Sequence, residues 1–298
     1  MPPTKQLILP GATVKKSNEI VRSRMRLENV YAARVFTSVI ACIKNTDKDF
    51  QEYVIPASTV INAGDMGGKA YTLIRQALKT ITSYTVELPL PIESEHEKKE
   101  HPYAIYPLFS KAQYRNGKIT AQVHPDLKPH FISLATHYTS YNLLEYLKLS
   151  GTYSQRLFEI LNSYAKTYPD IKIKLPELHY MLNTPPALQR YPDLRRRVLE
   201  TAHKEINNKT DLKYEWEPIK DGRNVVEINF IFLKKAQEEA QKKQAEKERL
   251  AVNKYIQQAF ACWKEKGGKA FLVNEKCPVA KPKTKKCINC KRMGYFAR

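Results

Sequence analysis

The clearest hydrophobic pattern in the chain lies between Gln189 and Lys234. Its first half has apolar residues every three or four positions, the spacing that places side chains on one face of a helix. Pro192 suits the first turn of a helix, where its missing N–H costs nothing. A tight turn at Asp221-Gly222 then leads into alternating apolar positions. The pattern predicts one long helix followed by a two-stranded hairpin. The apolar positions of the helix are Leu194, Val198, Leu199, Ala202 and Ile206.

Successive residues of a helix are rotated by about 100°, so the positions between the apolar ones form an opposite face. In this predicted helix that face is polar and rich in arginine. Arg190, Asp193 and Arg196 lie one turn apart at its N-terminal end, which in helix-turn-helix proteins usually enters the major groove. Arginine pairs with guanine, and an acidic residue accepts from cytosine or orients an arginine. These three residues are therefore the first candidates for base contacts. Arg195 falls on the apolar side, and we expect it to form a structural or interdomain pair. The whole outward face comprises Arg190, Asp193, Arg196, Arg197, Glu200, His203, Lys204 and Asn207.

A second amphipathic stretch, from Gly67 to Leu88, has the same design. Its apolar positions recur at helical spacing and its other face is basic and amide-bearing. Arg75 and Gln76 are the candidates for base contacts, with Lys69 and Lys79 on phosphates. The predicted DNA-binding set of this helix is Lys69, Thr72, Arg75, Gln76 and Lys79.

The chain has the same predicted order of elements twice: long helix, strand, short helix, basic helix, hairpin. The first series starts with one helix from Ser17 to Ile43 and ends with an Asn116-Gly117 hairpin turn. The second starts near His137, and Arg223 lies at the tip of its hairpin. We therefore predict an α+β protein with two tandem winged-helix domains, residues 17–135 and 136–233. Residues 1–16 are expected to form a flexible arm, and residues 234–298 a charged, basic extension that is helical or disordered.

Composition favours a nucleic-acid partner. The 298 residues include 50 Lys and Arg against 30 Asp and Glu, a formal net charge of +20, and 42% are apolar. That length and apolar content allow two domains with cores of their own. The positive excess favours a polyanion. No apolar run approaches the roughly 18–20 residues that cross a bilayer, and the start lacks a signal peptide's apolar core. We expect a cytoplasmic protein with no membrane partner.

Catalytic motifs are missing from the sequence. It contains no G-x-x-x-x-G-K-[ST] run for a nucleotide, and its seven histidines form no H-x-H pair of the kind that rolling-circle nickases use beside a metal. The expected chemistry is recognition of DNA, without an enzymatic step and without a cofactor.

The cysteines are few, and most lie near the C-terminus. Five cysteines fit a reducing compartment without a disulfide framework. Cys287 and Cys290 form a C-x-x-C with Cys277 upstream, a spacing that zinc favours. A fourth ligand is missing, so the preferred interpretation is a basic tail that binds phosphates and no metal site. A zinc site at these three cysteines is the alternative.

Three runs carry a resemblance to a known family. They are GTYSQRLFEILNSY from Gly151, YPDLRRRVLETAHKEINNKTDL from Tyr191 and DGRNVVEINFIF from Asp221. Together they resemble the plasmid replication initiators that bind iterons, the short direct repeats of an origin. The resemblance covers roughly residues 14 to 233. It implies two tandem winged-helix domains, each of which places one helix in the major groove of a repeat.

The resemblance also implies partners and site residues. Such initiators bind double-stranded iterons as monomers and often repress their own gene as dimers. They recruit the host helicase and initiator in the bacterial cytoplasm, and some need chaperones to become monomeric. By position in the motif, Arg190, Asp193 and Arg196 are favoured for bases and Arg197 for the backbone, with Lys204 and Arg223 completing the DNA-binding set. The alternative function is a winged-helix transcriptional repressor or architectural protein with no part in replication.

Overall fold

The computed structural model describes residues 12–44, 46–61, 68–93, 96, 99, 102–233, 246, 249 and 250. The described residues up to Leu233 belong to one compact unit. It begins with a strand, β1 (Thr13–Ser17), and two helices, α1 (Asn18–Arg22) and α2 (Val30–Ile40).

The single helix that the apolar spacing predicts from Ser17 to Ile43 is wrong, because the chain leaves the helical conformation after α1. The backbone at Ser23 is extended (φ −66°, ψ 167°). Asn29 then starts α2: its side-chain oxygen accepts hydrogen bonds from the N–H groups of Tyr31 and Ala32 at 2.9 and 3.1 Å. An asparagine at this position satisfies amides that a continuous helix would have bonded internally. Apolar spacing alone did not show this interruption.

The first winged helix contains a three-stranded sheet and a basic helix. Its elements are β2 (Tyr53–Pro56), α3 (Gly68–Thr82), β3 (Thr85–Pro89), β4 (Tyr103–Pro107), β5 (Phe109–Arg115) and β6 (Lys118–Val123). The main sheet has the order β2-β6-β5, and β3 pairs with β4 as a separate two-stranded sheet. A winged helix therefore forms here, with an additional hairpin between its basic helix and its wing.

The wing of this first unit turns where the sequence predicts. Asn116 and Gly117 have φ of 50° and 70°, and they join β5 to β6 in an antiparallel pair. Positive φ at both central positions belongs to the turn whose twist matches a hairpin, and asparagine and glycine adopt it at the lowest cost. The predicted hairpin turn is confirmed.

The second winged helix repeats the order of the first. Its elements are β7 (Tyr138–Asn142), α4 (Leu143–Lys148), α5 (Thr152–Ala165), β8 (Asp170–Lys174), α6 (Leu175–Leu182), a recognition helix from Tyr191 to Lys209, β9 (Tyr214–Asp221) and β10 (Asn224–Phe232). The sheet order β8-β10-β9 matches the order β2-β6-β5 of the first unit. The predicted α+β fold with two winged helices is confirmed.

Residues 13–16, which the sequence assigns to a flexible arm, form most of β1 instead. This strand pairs antiparallel with β7, from Thr13 opposite Asn142 to Ser17 opposite Tyr138. Val14 and Lys16 point inward and are buried. The prediction is wrong at these positions because a long-range partner strand, rather than a local pattern, fixes their conformation.

One hydrophobic core runs through both halves. It includes Val35 and Phe36 of α2 as well as Leu157 and Phe158 of α5, all at most 1% exposed. Elements on both sides of residue 135 therefore share one core. The domain boundary that the sequence places after residue 135 stays a prediction. The arm before residue 12, most of the extension after residue 233 and its cysteines lie outside the described residues. Within the described part of the chain, no helix is both long enough and apolar enough to span a membrane.

Candidate nucleic-acid interface

The second recognition helix, Tyr191–Lys209, starts at a defined cap. The carbonyl of Arg190 accepts the N–H groups of Asp193 and Leu194, each at 3.0 Å, and Pro192 occupies the first turn. All five residues of the predicted apolar face are fully buried at 0% exposure, so the helix is fixed to the core along that face: Leu194, Val198, Leu199, Ala202 and Ile206.

This helix is not uniform. It begins as an α-helical turn, α7 (Tyr191–Leu194), continues as a π-helical turn from Arg195 to Leu199, and ends as α8 (Glu200–Lys209). A π-helical turn carries more residues than an α-helical one and is often found at functional sites. Three consecutive arginines, Arg195, Arg196 and Arg197, are exposed on it.

Asp193 and Arg196 are brought together on the outer face. Arg196 Nη2 lies 3.8 Å from Asp193 Oδ1, and the arginine side chain is 71% exposed while the aspartate side chain is 26% exposed. The half-buried carboxylate lies within ion-pair distance of the charged end of an arginine that otherwise extends into solvent. Arg190 and Arg197 are exposed nearby on the same helix. An oriented guanidinium is suited to a two-point contact with the O6 and N7 atoms of guanine.

Two residues that the sequence places on the outward face point elsewhere. His203 Nε2 lies 3.0 Å from the backbone oxygen of Tyr214, and Asn207 forms hydrogen bonds with both the N–H and the carbonyl of Tyr214 at 3.0 and 2.8 Å. Both are half-buried. They fasten the recognition helix to β9, a contact that helical spacing alone does not predict.

Glu205 connects the recognition helix to the start of α5. Its carboxylate accepts from the Ser150 N–H and hydroxyl at 2.6 Å each and from the Gly151 N–H at 3.2 Å. Lys209 lies 2.7 Å away. Burial by itself would raise the pKa of this carboxyl, but the hydrogen bonds from Lys209 and Ser150 outweigh it and lower the pKa to about 2. The carboxylate is therefore charged at neutral pH, and it links the recognition helix to the residues that precede α5. The sequence offered no signal for this role.

The remaining residues predicted to bind DNA in this half are exposed. Lys204 lines a surface concavity together with Arg196 and Glu200. Arg223 lies at the tip of the wing, next to Gly222, which adopts φ of 57°. A basic side chain at a wing tip suits a phosphate contact beside the groove that the recognition helix enters.

The first recognition helix, α3, is also divided into a buried and an exposed face. Ile74, Ala77 and Ile81 are at most 2% exposed. The five predicted DNA-binding residues of this helix are all exposed: Lys69, Thr72, Arg75, Gln76 and Lys79.

Two of these five residues line a groove beside α3. Arg75 and Lys79 line a groove of about 310 Å³ between α3 and β5, together with Tyr71 and Tyr114. The two tyrosine rings meet edge to face, with centroids 5.9 Å apart. Sequence reasoning missed Tyr71, although its position four residues before Arg75 places it on the same helical face.

Metal ligands and free thiols do not gather in the part of the chain that the structure describes. There, no group of three or more His, Cys, Asp or Glu side chains could hold a metal ion. Cys42 is buried and free, and burial raises the pKa of its thiol to about 11. The alternative zinc site at Cys277, Cys287 and Cys290 lies outside the described residues.

The sheets, wings and exposed basic helices together define a winged-helix DNA-binding protein. Two family models match the chain: "Initiator Replication protein, WH1" over residues 13–162 and "Initiator Rep protein, WH2" over residues 174–232. They cover more than half of the 298 residues. The chain therefore belongs to the initiator replication protein family, and it is a replication initiator. The resemblance drawn from the sequence is confirmed at this level.

The fold can also be compared with solved structures. One similar chain is described as the crystal structure of selenomethionine derivatives of domain 2 and domain 3 of RctB. The two sequences are 15% identical, the match covers 70% of this chain and 82% of that chain, and the TM-score is 0.43.

Proposed function

We propose that this protein initiates replication of a plasmid by binding the iterons of its origin as a monomer. The observation that carries the proposal is the outer face of the second recognition helix. There Arg190, Arg196 and Arg197 are exposed, and Arg196 Nη2 lies 3.8 Å from Asp193 Oδ1. Base contacts from this face supply sequence preference, while Lys204 and Arg223 contact phosphates.

Direct repeats fit a monomer that carries two different recognition helices. The first presents Arg75, Gln76 and Lys79, and the second presents Arg190 and Arg196. Because the two helices differ in sequence, one chain recognises a site without twofold symmetry. Copies of such a site bind successive monomers in one orientation. A palindrome, by contrast, matches a symmetric dimer.

A dimer is the second form that we propose, and it represses the protein's own gene at an inverted operator. Its support is the additional hairpin of the first winged helix. Tyr103 and Ile105 of β4 are each 57% exposed, and β3 and β4 form a two-stranded sheet among the described residues. An exposed apolar strand edge is a surface on which a second copy can pair.

The protein acts in the bacterial cytoplasm, without catalysing a reaction and without a cofactor or a membrane contact. Bound to several iterons, it opens the adjacent duplex and recruits the host helicase and initiator, and chaperones shift the dimer toward the monomer. The strong positive charge of the chain supports the DNA-bound arrangement.

Footprinting tests the central claim. The purified full-length protein is bound at moderate salt to the DNA that flanks its gene, and its oligomeric state is measured in the same buffer. We expect protection of evenly spaced direct repeats, one monomer on each. Protection of a single palindrome by a dimer, without repeats, would instead support a transcriptional repressor.

A further inference from the structure

The π-helical turn of the second recognition helix changes the position of one arginine. In a regular α-helix, Arg195 would lie on the same side as Val198, Leu199 and Ala202, three, four and seven residues further on. Those three residues are fully buried. Yet the Arg195 side chain is 55% exposed. The extra residue of the π turn moves Arg195 away from the core.

A carboxylate one π turn later holds this arginine. Arg195 Nε donates to Glu200 Oε1 at 2.8 Å, and the Glu200 side chain is 47% exposed. The Glu200 N–H also donates to the Arg195 carbonyl, the i to i+5 bond of a π turn. Backbone and side chain therefore join the same two residues. The contact uses the Nε donor of Arg195, whose side chain is 55% exposed.

The pair lies beside the surface already assigned to DNA. Glu200 lines the same concavity as Arg196 and Lys204. Arg195 precedes Arg196 directly in the chain. The Arg195–Glu200 pair therefore lies next to Arg196 in the chain, and through Glu200 it borders the concavity that Arg196 lines.

The charge of Glu200 distinguishes a base contact from a phosphate contact. A carboxylate beside a phosphate is repelled, so a guanidinium with a carboxylate attached is a poor phosphate ligand. In the groove, the same carboxylate orients the arginine toward guanine and can accept from the N4 amino group of cytosine. Within the described part of the chain, Arg197 has no such carboxylate, which fits its assignment to the backbone.

We propose that Arg195 contacts a guanine adjacent to the bases contacted by Arg196, and that Glu200 is the positioning residue that orients it. The inference rests on the proposed function, because it requires that the second recognition helix bind DNA by sequence. It adds one base pair of specificity that Arg190, Asp193 and Arg196 do not supply.

Selection from a randomised duplex library tests the proposal with the full-length protein. Arg195→Lys keeps the charge and removes the fork of donors, and Glu200→Gln keeps the size and removes the carboxylate. Glu177→Gln, on an exposed glutamate of α6, is the matched control. In both test variants, we expect the base preference at one and the same motif position to fall about tenfold. The other positions, low-salt binding and the control should keep wild-type behaviour.

Each other result has a distinct meaning. If Arg195→Lys selects the wild-type motif at every position, Arg195 does not contact a base and the proposal fails. If Arg195→Lys changes one position but Glu200→Gln changes none, the positioning role of Glu200 is wrong. If the wild-type protein enriches no motif at all, the proposed function fails first, before any variant is compared.

Discussion

We expect single side chains of the second recognition helix to contribute differently to sequence preference and to general DNA affinity. The Arg196 side chain is 71% exposed and lies within ion-pair distance of Asp193. Arg197 is exposed without a carboxylate partner among the described residues. Because an oriented arginine suits a base edge and an unrestrained one suits a phosphate, neighbouring residues of one type are expected to have different effects on binding.

We expect Arg196→Ala to lower the preference for the cognate repeat over a scrambled duplex by about 10- to 100-fold, since one good arginine–guanine pair contributes roughly 1–3 kcal/mol. Non-specific binding at low salt should change little. Arg197→Ala should weaken binding to both duplexes and reduce the salt slope by about 1. Competition titrations at several salt concentrations measure both effects. If Arg196→Ala weakened both duplexes equally, Arg196 would be a phosphate contact only.

The Glu205 carboxyl should make the free energy of unfolding depend on pH. Its pKa is lowered from the ordinary value of 4.5 to about 2. A carboxyl with a depressed folded-state pKa contributes stability that is fully present above pH 4.5 and is lost as the pH falls toward 2. We expect Glu205→Gln to lower the free energy of unfolding by about 1–2 kcal/mol at pH 7, and by much less near pH 2.5. Denaturant unfolding at both values measures the difference. An equal loss at both would exclude the charge of Glu205 as the cause.

At the scale of elements, caps decide where helices begin. Asn29 starts α2 through two hydrogen bonds from its side-chain oxygen, and α2 contributes Val35, Phe36 and Val39 to the core at 1% exposure or less. The cap therefore supports the helix on which much of the first winged helix packs.

Substitution of Asn29 should lower the free energy of unfolding according to whether the new side chain can cap α2. Asn29→Ala removes the acceptor, and we expect it to lower the free energy of unfolding by about 1 kcal/mol. Asn29→Ser retains a capping oxygen and should lower the free energy of unfolding by only a few tenths of 1 kcal/mol. Urea unfolding of the three proteins side by side checks the order. Equal stabilities of the alanine and serine variants would contradict the capping role.

At the scale of the whole molecule, a buried ionic cluster joins β1 to α5. Lys16 Nζ and Glu159 Oε1 are 2.5 Å apart, with side chains only 3% and 5% exposed. Arg156 lies 3.5 Å from the same carboxylate, and it also donates to the backbone oxygens of Met181 and Ser23. Burial lowers the pKa of Lys16, and the neighbouring Glu159 opposes that shift. The N-terminal strand is thereby fixed to the first long helix of the second unit.

Neighbouring lysines of β1 allow a matched test. Lys16→Met leaves the Glu159 charge with one cation fewer in a dry site, and we expect it to lower the free energy of unfolding by about 3–5 kcal/mol. Lys15→Met, on the opposite face of the strand, should cost less than about 1 kcal/mol. Thermal or urea unfolding compares the two. Similar losses would show that the strand, and not the ionic cluster, sets the stability.

Local sequence patterns were sufficient to predict helices with one buried face and turns that require particular residues. The five apolar positions of the second recognition helix are all fully buried, and Asn116-Gly117 forms the predicted turn. The basic residues predicted on both recognition helices are exposed. Periodicity predicts these features because burial of an apolar face and positive φ at a turn act over a few residues.

Features that depend on partners distant in the chain became visible in the three-dimensional structure. It placed residues 13–16 in β1 against β7, divided the first predicted helix into α1 and α2, and turned His203 and Asn207 toward β9. The sequence alone determined a basic, two-part winged-helix initiator and most of the residues that face outward. The structure decided which of those residues bind each other, because long-range pairing and the extra residue of a π turn leave no periodic trace in the sequence.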